Sequence, residues 1–125
     1  MSKVNKPTES ELEILSILWE KENATVKEVH ELVHKTKEVG YTTTLKLMQI
    51  MNEKGLVTRN VSAKKHIYTA VLQKEKAQHQ MVHKIIQTVF GGSSTQLILQ
   101  TLEKNTPSKK ELVAIKLMVE KLQAK

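Results

Sequence analysis

The chain has 125 residues, enough for one compact domain or for a small domain with a helical extension, and too few for an enzyme with separate cofactor and substrate domains. It has no cysteine, which excludes disulfides and thiolate metal sites and suits a reducing cytosol. The formal net charge of +7 favours an acidic partner such as nucleic acid, because neutralising phosphates releases counterions.

Thr8 and Glu11 have the S/T-x-x-E spacing of a capping box, which predicts a first helix to about Lys21 with Leu12, Leu15, Leu18 and Trp19 on its buried stripe. Thr25 and Glu28 repeat that spacing and predict a second helix to about Lys35, with Val26, Val29 and Val33 turned inward. After a loop ending at Gly40, Tyr41-Thr42-Thr43-Thr44 offers capping hydroxyls to a third helix. Its stripe is Thr44, Leu47, Met48 and Met51, and Gly55 terminates it. Leu56 to Val61 reads as a strand, Ser62-Ala63-Lys64-Lys65 as a polar turn, and His66 to Leu72 as a second strand.

No further strand is evident beyond Leu72. Gln73 to Phe90 is predicted as one helix with Met81, Val82, Ile85, Ile86 and Val89 on its apolar side, broken by Gly91-Gly92. Ser93 or Ser94 opens a short helix through Leu97, Ile98 and Leu102, which Thr106-Pro107 ends. Ser108 with Glu111 then caps a last helix carrying Leu112, Ile115, Met118, Val119 and Leu122. Short apolar helices take most of their stability from packing, and a two-fold axis would supply it. The expected fold is mainly α with a small β-hairpin. Residues 1–72 would form a winged helix-turn-helix that binds DNA, and residues 73–125 a helical dimerisation domain built on Met81, Ile85, Val89, Leu97 and the last helix's apolar residues.

Charge is unevenly spread along these elements. Residues 1–38 are net acidic, whereas residues 39–72 carry Lys46, Lys54, Arg59, Lys64 and Lys65 against Glu53 alone. In helix-turn-helix proteins the second helix of the motif lies in the major groove, and its outward residues meet bases and phosphates. Here that face is Thr42, Thr43, Lys46, Gln49 and Ile50, with Thr43 and Lys46 foremost: a threonine can bond a base or touch a thymine methyl, and a lysine can reach guanine or phosphate. Arg59, Lys64, Lys65 and His66 make a basic hairpin suited to the backbone or the adjacent minor groove. The alternative is a winged helix used for protein association, with the basic hairpin incidental. Lys109-Lys110 reads as a solvated face.

Other strings point to chemistry less well. His30-Glu31-Leu32-Val33-His34 matches the H-E-x-x-H zinc motif but lacks a recognisable third ligand, and its helix already carries a core stripe, so a solvated helix with a satisfied His30 is expected. His79 and His83 lie one turn apart without a carboxylate or thiolate to complete a site. No nucleophile elbow or phosphate-cradling glycine loop is present, so no enzyme activity, metal or cofactor is expected. Met1 to Pro7 is polar and no apolar run approaches the ~20 residues of a membrane span, so a cytoplasmic protein without membrane insertion is expected.

Thr8-Glu9-Ser10-Glu11-Leu12-Glu13-Ile14-Leu15, Leu18-Trp19, Val26-Lys27-Glu28-Val29, Tyr41-Thr42-Thr43 and Glu53-Lys54-Gly55-Leu56-Val57 together resemble the penicillinase repressor family, which includes the methicillin-resistance and copper-transport repressors. Phe90-Gly91-Gly92-Ser93 and Leu97-Ile98-Leu99 extend the likeness toward the C-terminus. The resemblance implies a homodimer that occupies two half-sites of a palindromic DNA operator. For the antibiotic-resistance members it implies release through a membrane sensor protease. Those members are cut at an Asn-Phe bond, and the aligned pair here is Gln100-Thr101; the Cys-x-Cys pairs of the copper-responsive members have no counterpart.

Overall fold

The computed structural model describes residues 6–62 and 64–125. The expectations placed on Met1 to Asn5 and on Ala63 lie outside them. The described residues group into two compact units, one up to Met81 and one of Val82–Lys125, and the division falls within a helix.

In the first unit, α1 (Glu9–Lys21) and α2 (Val26–His34) each open on a complete capping box. The Thr8 hydroxyl accepts from the Glu11 N–H while the Glu11 carboxylate accepts from the Thr8 N–H, and Thr25 and Glu28 do the same. The buried face of α1 is Glu11, Ile14, Leu15 and Leu18, whereas Leu12 and Trp19 are half-buried flanks. Ile14 therefore replaces Leu12 in the expected stripe. The Trp19 indole N–H donates to the Leu72 carbonyl at 2.9 Å, which draws a polar aromatic edge out of the centre of the core.

The third helix, α3 (Tyr41–Lys54), starts one residue earlier than its threonines suggested, at Gly40 as N-cap with no side-chain cap bond. Tyr41 already has helical backbone, so Thr42 and Thr43 sit inside the first turn, where their hydroxyls cannot cap. At the other end Gly55 adopts φ 83°, and the Leu56 N–H closes on the Met51 carbonyl at 2.9 Å. Thr44, Met48 and Met51 are buried and Leu47 is half-buried.

The sheet has three strands where a two-stranded hairpin was expected. β2 (Val57–Ser62) and β3 (Lys65–Ala70) pair antiparallel from Val57↔Ala70 to Ser62↔Lys65, and β1 (Ala24–Thr25) pairs with the far side of β3. Lys65 is thus a strand residue, and Leu56, Val71 and Leu72 lie outside the strands. Leu15, Leu18, Val29, Met48, Met51, Val57 and Tyr68 form a single core that α1, α2, α3 and the sheet share. Three helices and a hairpin with a short third strand are a winged helix.

The α4 helix (Lys74–Thr88) is shorter at both ends than Gln73 to Phe90 and buries only Ala77. After Gly91 and Gly92, both at positive φ, Ser93 caps α5 (Ser94–Lys104), and Ser108 with Glu111 caps α6 (Lys109–Gln123) in a third complete box. Neither α5 nor α6 buries a residue; Leu99, Val113, Leu117 and Met118 are each about 60% exposed.

Glu11, buried in the core, also receives the Lys54 ammonium at 2.6 Å, joining the start of α1 to the end of α3. Replacing Lys54 by Met strands a buried carboxylate, and should lower unfolding stability by about 2–4 kcal/mol in urea titrations at fixed protein concentration, with Lys54→Arg close to wild type. A loss under about 0.5 kcal/mol would contradict this role.

Candidate nucleic-acid interface

The core stripe of α3 dictates what the helix shows to solvent. With Thr44, Met48 and Met51 inward, the 100° step between residues turns Thr42, Thr43, Lys46 and Gln49 outward, and all four are exposed. Ile50, expected among them, is half-buried.

The first turn of α3 is braced from α2. His30, half-buried, makes a 3.1 Å hydrogen bond through Nδ1 with the buried Thr44 hydroxyl, and its ring meets Tyr41 edge-on at 5.5 Å and 79°. The His34 ring lies 5.5 Å from that of His30. His30 of the H-E-x-x-H string is therefore committed to the third helix through Nδ1. Among the described residues no group of three or more His, Asp or Glu side chains is placed to hold a metal.

The hairpin carries the expected basic side chains outward: Arg59, Lys64, Lys65 and His66 are all exposed. Arg59 pairs with Tyr68, and His66 lies two residues before Tyr68, so strand alternation puts Arg59 and His66 on the sheet face that Tyr68 turns to the core. That face thus runs from buried Tyr68 to exposed Arg59 and His66. Lys64 has φ 67° next to the closing pair Ser62↔Lys65, the left-handed backbone that a tight hairpin connection demands.

Between α3 and the hairpin lies a concavity of about 590 Å³, floored by Val26, Leu45 and Tyr68 and rimmed by Lys27, Arg59 and His66. Sequence reasoning missed Lys27, Tyr41 and Leu45, which also line it. Lys27 was hidden by the acidic tally of residues 1–38. Tyr41, Leu45 and Gln49 recur every four residues, a row along α3 that a fuller helical projection would have shown.

Residues 7–121 match the penicillinase repressor family. The chain belongs to that family. The methicillin resistance regulatory protein MecI of Staphylococcus aureus strain N315 is similar at 22% identity over 120 residues, covering 96% of this chain and 98% of the relative. MecI of Staphylococcus epidermidis is similar to the same extent. Penicillinase repressors are DNA-binding transcriptional regulators and not enzymes, and this chain is a transcriptional repressor. Among its described residues no helix is long and apolar enough to cross a membrane.

At the start of α2, Glu28 is held below the usual carboxylate value of 4.5, chiefly because it accepts the Thr25 backbone N–H. Desolvation, the next largest influence, opposes this, and the Thr25 hydroxyl and the charges of Lys21 and Lys65 add to the lowering. A depressed folded pKa stabilises the fold above the unfolded value, and that contribution fades as pH falls through the folded one. In this repressor the Glu28 carboxyl should titrate below 4.5 by NMR, with protection of the first α2 amides declining over the same range. Titration at or above 4.5 would contradict the capping geometry.

Proposed function

We propose that this repressor binds a palindromic operator as a homodimer in the cytoplasm. The unit up to Met81 reads DNA, and the helices beyond it join the two copies. The observation that carries this reading is the exposed row Thr42, Thr43, Lys46 and Gln49, braced from behind by His30 and set beside a hairpin bearing Arg59, Lys64, Lys65 and His66. α3 enters the major groove, with Thr43 and Lys46 at base edges or phosphates, and the hairpin lies on the backbone or in the minor groove. No cofactor takes part.

The dimer is supported by what α4, α5 and α6 leave uncovered. Ile85, Val89, Leu112, Met118, Val119 and Leu122 are exposed in the single chain, and Met81, Leu97 and Ile115 are half-buried. A second copy covering this surface would remove it from water, at roughly 25 cal/mol per Å² of apolar area. Family resemblance makes a membrane sensor protease a candidate upstream partner. The aligned bond, Gln100-Thr101, lies inside α5, where the Thr101 hydroxyl donates to the Leu97 carbonyl at 2.7 Å. Cutting it requires local unwinding of that helix.

Gel-shift titration against the DNA upstream of the repressor's own gene, at two salt concentrations, should show binding preferred over random duplex. Joint charge reversal of Lys46, Lys64 and Lys65 should abolish that preference and flatten the salt dependence by about 0.9 for each phosphate that is no longer neutralised. Intact operator affinity in that variant would favour protein association instead.

Replacing Ile115 by Asp should weaken the dimer by about 3 kcal/mol or more, because closing the interface would bury an unpaired charge. Sedimentation would then show monomer, and operator affinity would fall because the two half-sites are no longer linked. An unchanged dimer would remove Ile115 from the interface.

A further inference from the structure

The H-E-x-x-H string on α2 carries a feature that the winged helix itself does not use. His30 and His34 are one helical turn apart, and their ring centroids lie 5.5 Å from one another. Two imidazoles bound to one ion at about 2.1 Å, at a right or tetrahedral angle, hold their centroids roughly 4.6–5.3 Å apart. The pair on α2 thus stands within a few tenths of an ångström of a chelating separation. His34 is exposed and makes no hydrogen bond among the described residues, so its ring can turn to meet an ion.

His30 is prepared for the same role from behind. Its Nδ1 is bonded to the buried Thr44 hydroxyl at 3.1 Å, and Tyr41 meets the ring edge-on. Metal-binding histidines are fixed in this way, with one ring nitrogen held by a polar partner and the other left to coordinate. When Nδ1–H donates to Thr44 Oγ1, the lone pair lies on Nε2, the atom left to take an ion. The pair also occupies the last turn of α2, where the carbonyl end of the helix favours positive charge. His79 and His83 on α4 share the spacing, but among the described residues no hydrogen bond or ring contact fixes either ring.

We propose that His30 and His34 form an open binding site for a divalent transition ion of the class that prefers imidazole: Ni²⁺, Cu²⁺ or Zn²⁺. Two protein ligands leave the other positions to water, so the site is neither a closed structural centre nor a three-ligand hydrolytic one. Affinity follows the usual order of nitrogen sites, with copper above nickel and zinc. An ion seated here ties His34 to His30 and, through Thr44, the last turn of α2 to the first turn of α3. It stabilises that helix pair, and operator binding does not require it.

Titration of the full chain with the chlorides of Cu²⁺, Ni²⁺, Zn²⁺ and Mg²⁺ tests the site by calorimetry and by NMR of the histidine rings. Substoichiometric Cu²⁺ should broaden the His30 and His34 signals before those of His66, His79 and His83, whereas Mg²⁺ should leave all five unchanged. His34→Ala, at an exposed position, should weaken Cu²⁺ binding by roughly tenfold or more and abolish the early broadening of His30. Thr44→Val should weaken it by roughly tenfold, with Thr44→Ser close to wild type, because the hydroxyl acts on the ion only through His30. A merely structural Thr44 would lower the melting temperature in Thr44→Val and leave the folded chain's affinity for Cu²⁺ unchanged, which would overturn its positioning role. His79→Ala should bind as wild type does. Wild-type affinity in His34→Ala, or broadening that begins at His79 and His83, would overturn the site.

Discussion

The winged helix hangs on a buried carboxylate. Glu11 is 2% exposed, and charge at that depth is tolerated because both its obligations are met: the Thr8 N–H donates at 2.8 Å and the Lys54 ammonium at 2.6 Å. One side chain thus starts α1 and anchors the last turn of α3. The other end of α3 is tied to α2 through His30 and Thr44. A helix fixed at both ends presents its outer face at a set angle to the hairpin, which follows directly through Gly55 and Leu56. The exposed Lys37–Glu13 pair, also at 2.6 Å, adds little beside these, because water screens both partners.

Features decided within one turn of chain could be read from the sequence. All three capping boxes form where the S/T-x-x-E spacing put them, because each bond joins residues three apart and needs no tertiary context. Gly55 stops α3 for a similarly local reason. What escaped depends on distant partners. Ala24-Thr25 is too short to show a period and becomes a strand only because Tyr68 and Ile67 lie alongside. Glu11 looked like a capping residue alone, since its partner Lys54 is 43 residues away. The threonine run misled because three consecutive hydroxyls suit a cap, while Gly40 starts the helix without one and Thr44 turns its hydroxyl to His30.

The candidate site divides along the same line. Exposure of Thr42, Thr43, Lys46 and Gln49 follows from the core stripe of α3, so a helical projection was enough to find them. The depression beside that face requires α2, α3 and the sheet to be assembled, and no count of local charge could place Lys27 on the same depression as Arg59. Composition was a poor guide for this reason: Lys27, which lines the depression, belongs to a segment that is net acidic.

The two units solve opposite packing problems, and that bears on how the repressor would be controlled. Up to Met81 the apolar residues reach a common core within the single chain. From Val82 onward α5 and α6 bury nothing in the single chain, although Ser93 and the Ser108–Glu111 box start both helices cleanly. Local capping makes these helices, but it adds only about 1 kcal/mol apiece and cannot offset so much apolar surface in water. On the proposed reading, a second copy supplies the missing burial. Operator affinity would then depend on the half of the chain that is least self-sufficient, because two weak half-site contacts become tight only while they remain joined. A signal that loosened α5 or α6 would release DNA without touching a single residue of the reading face.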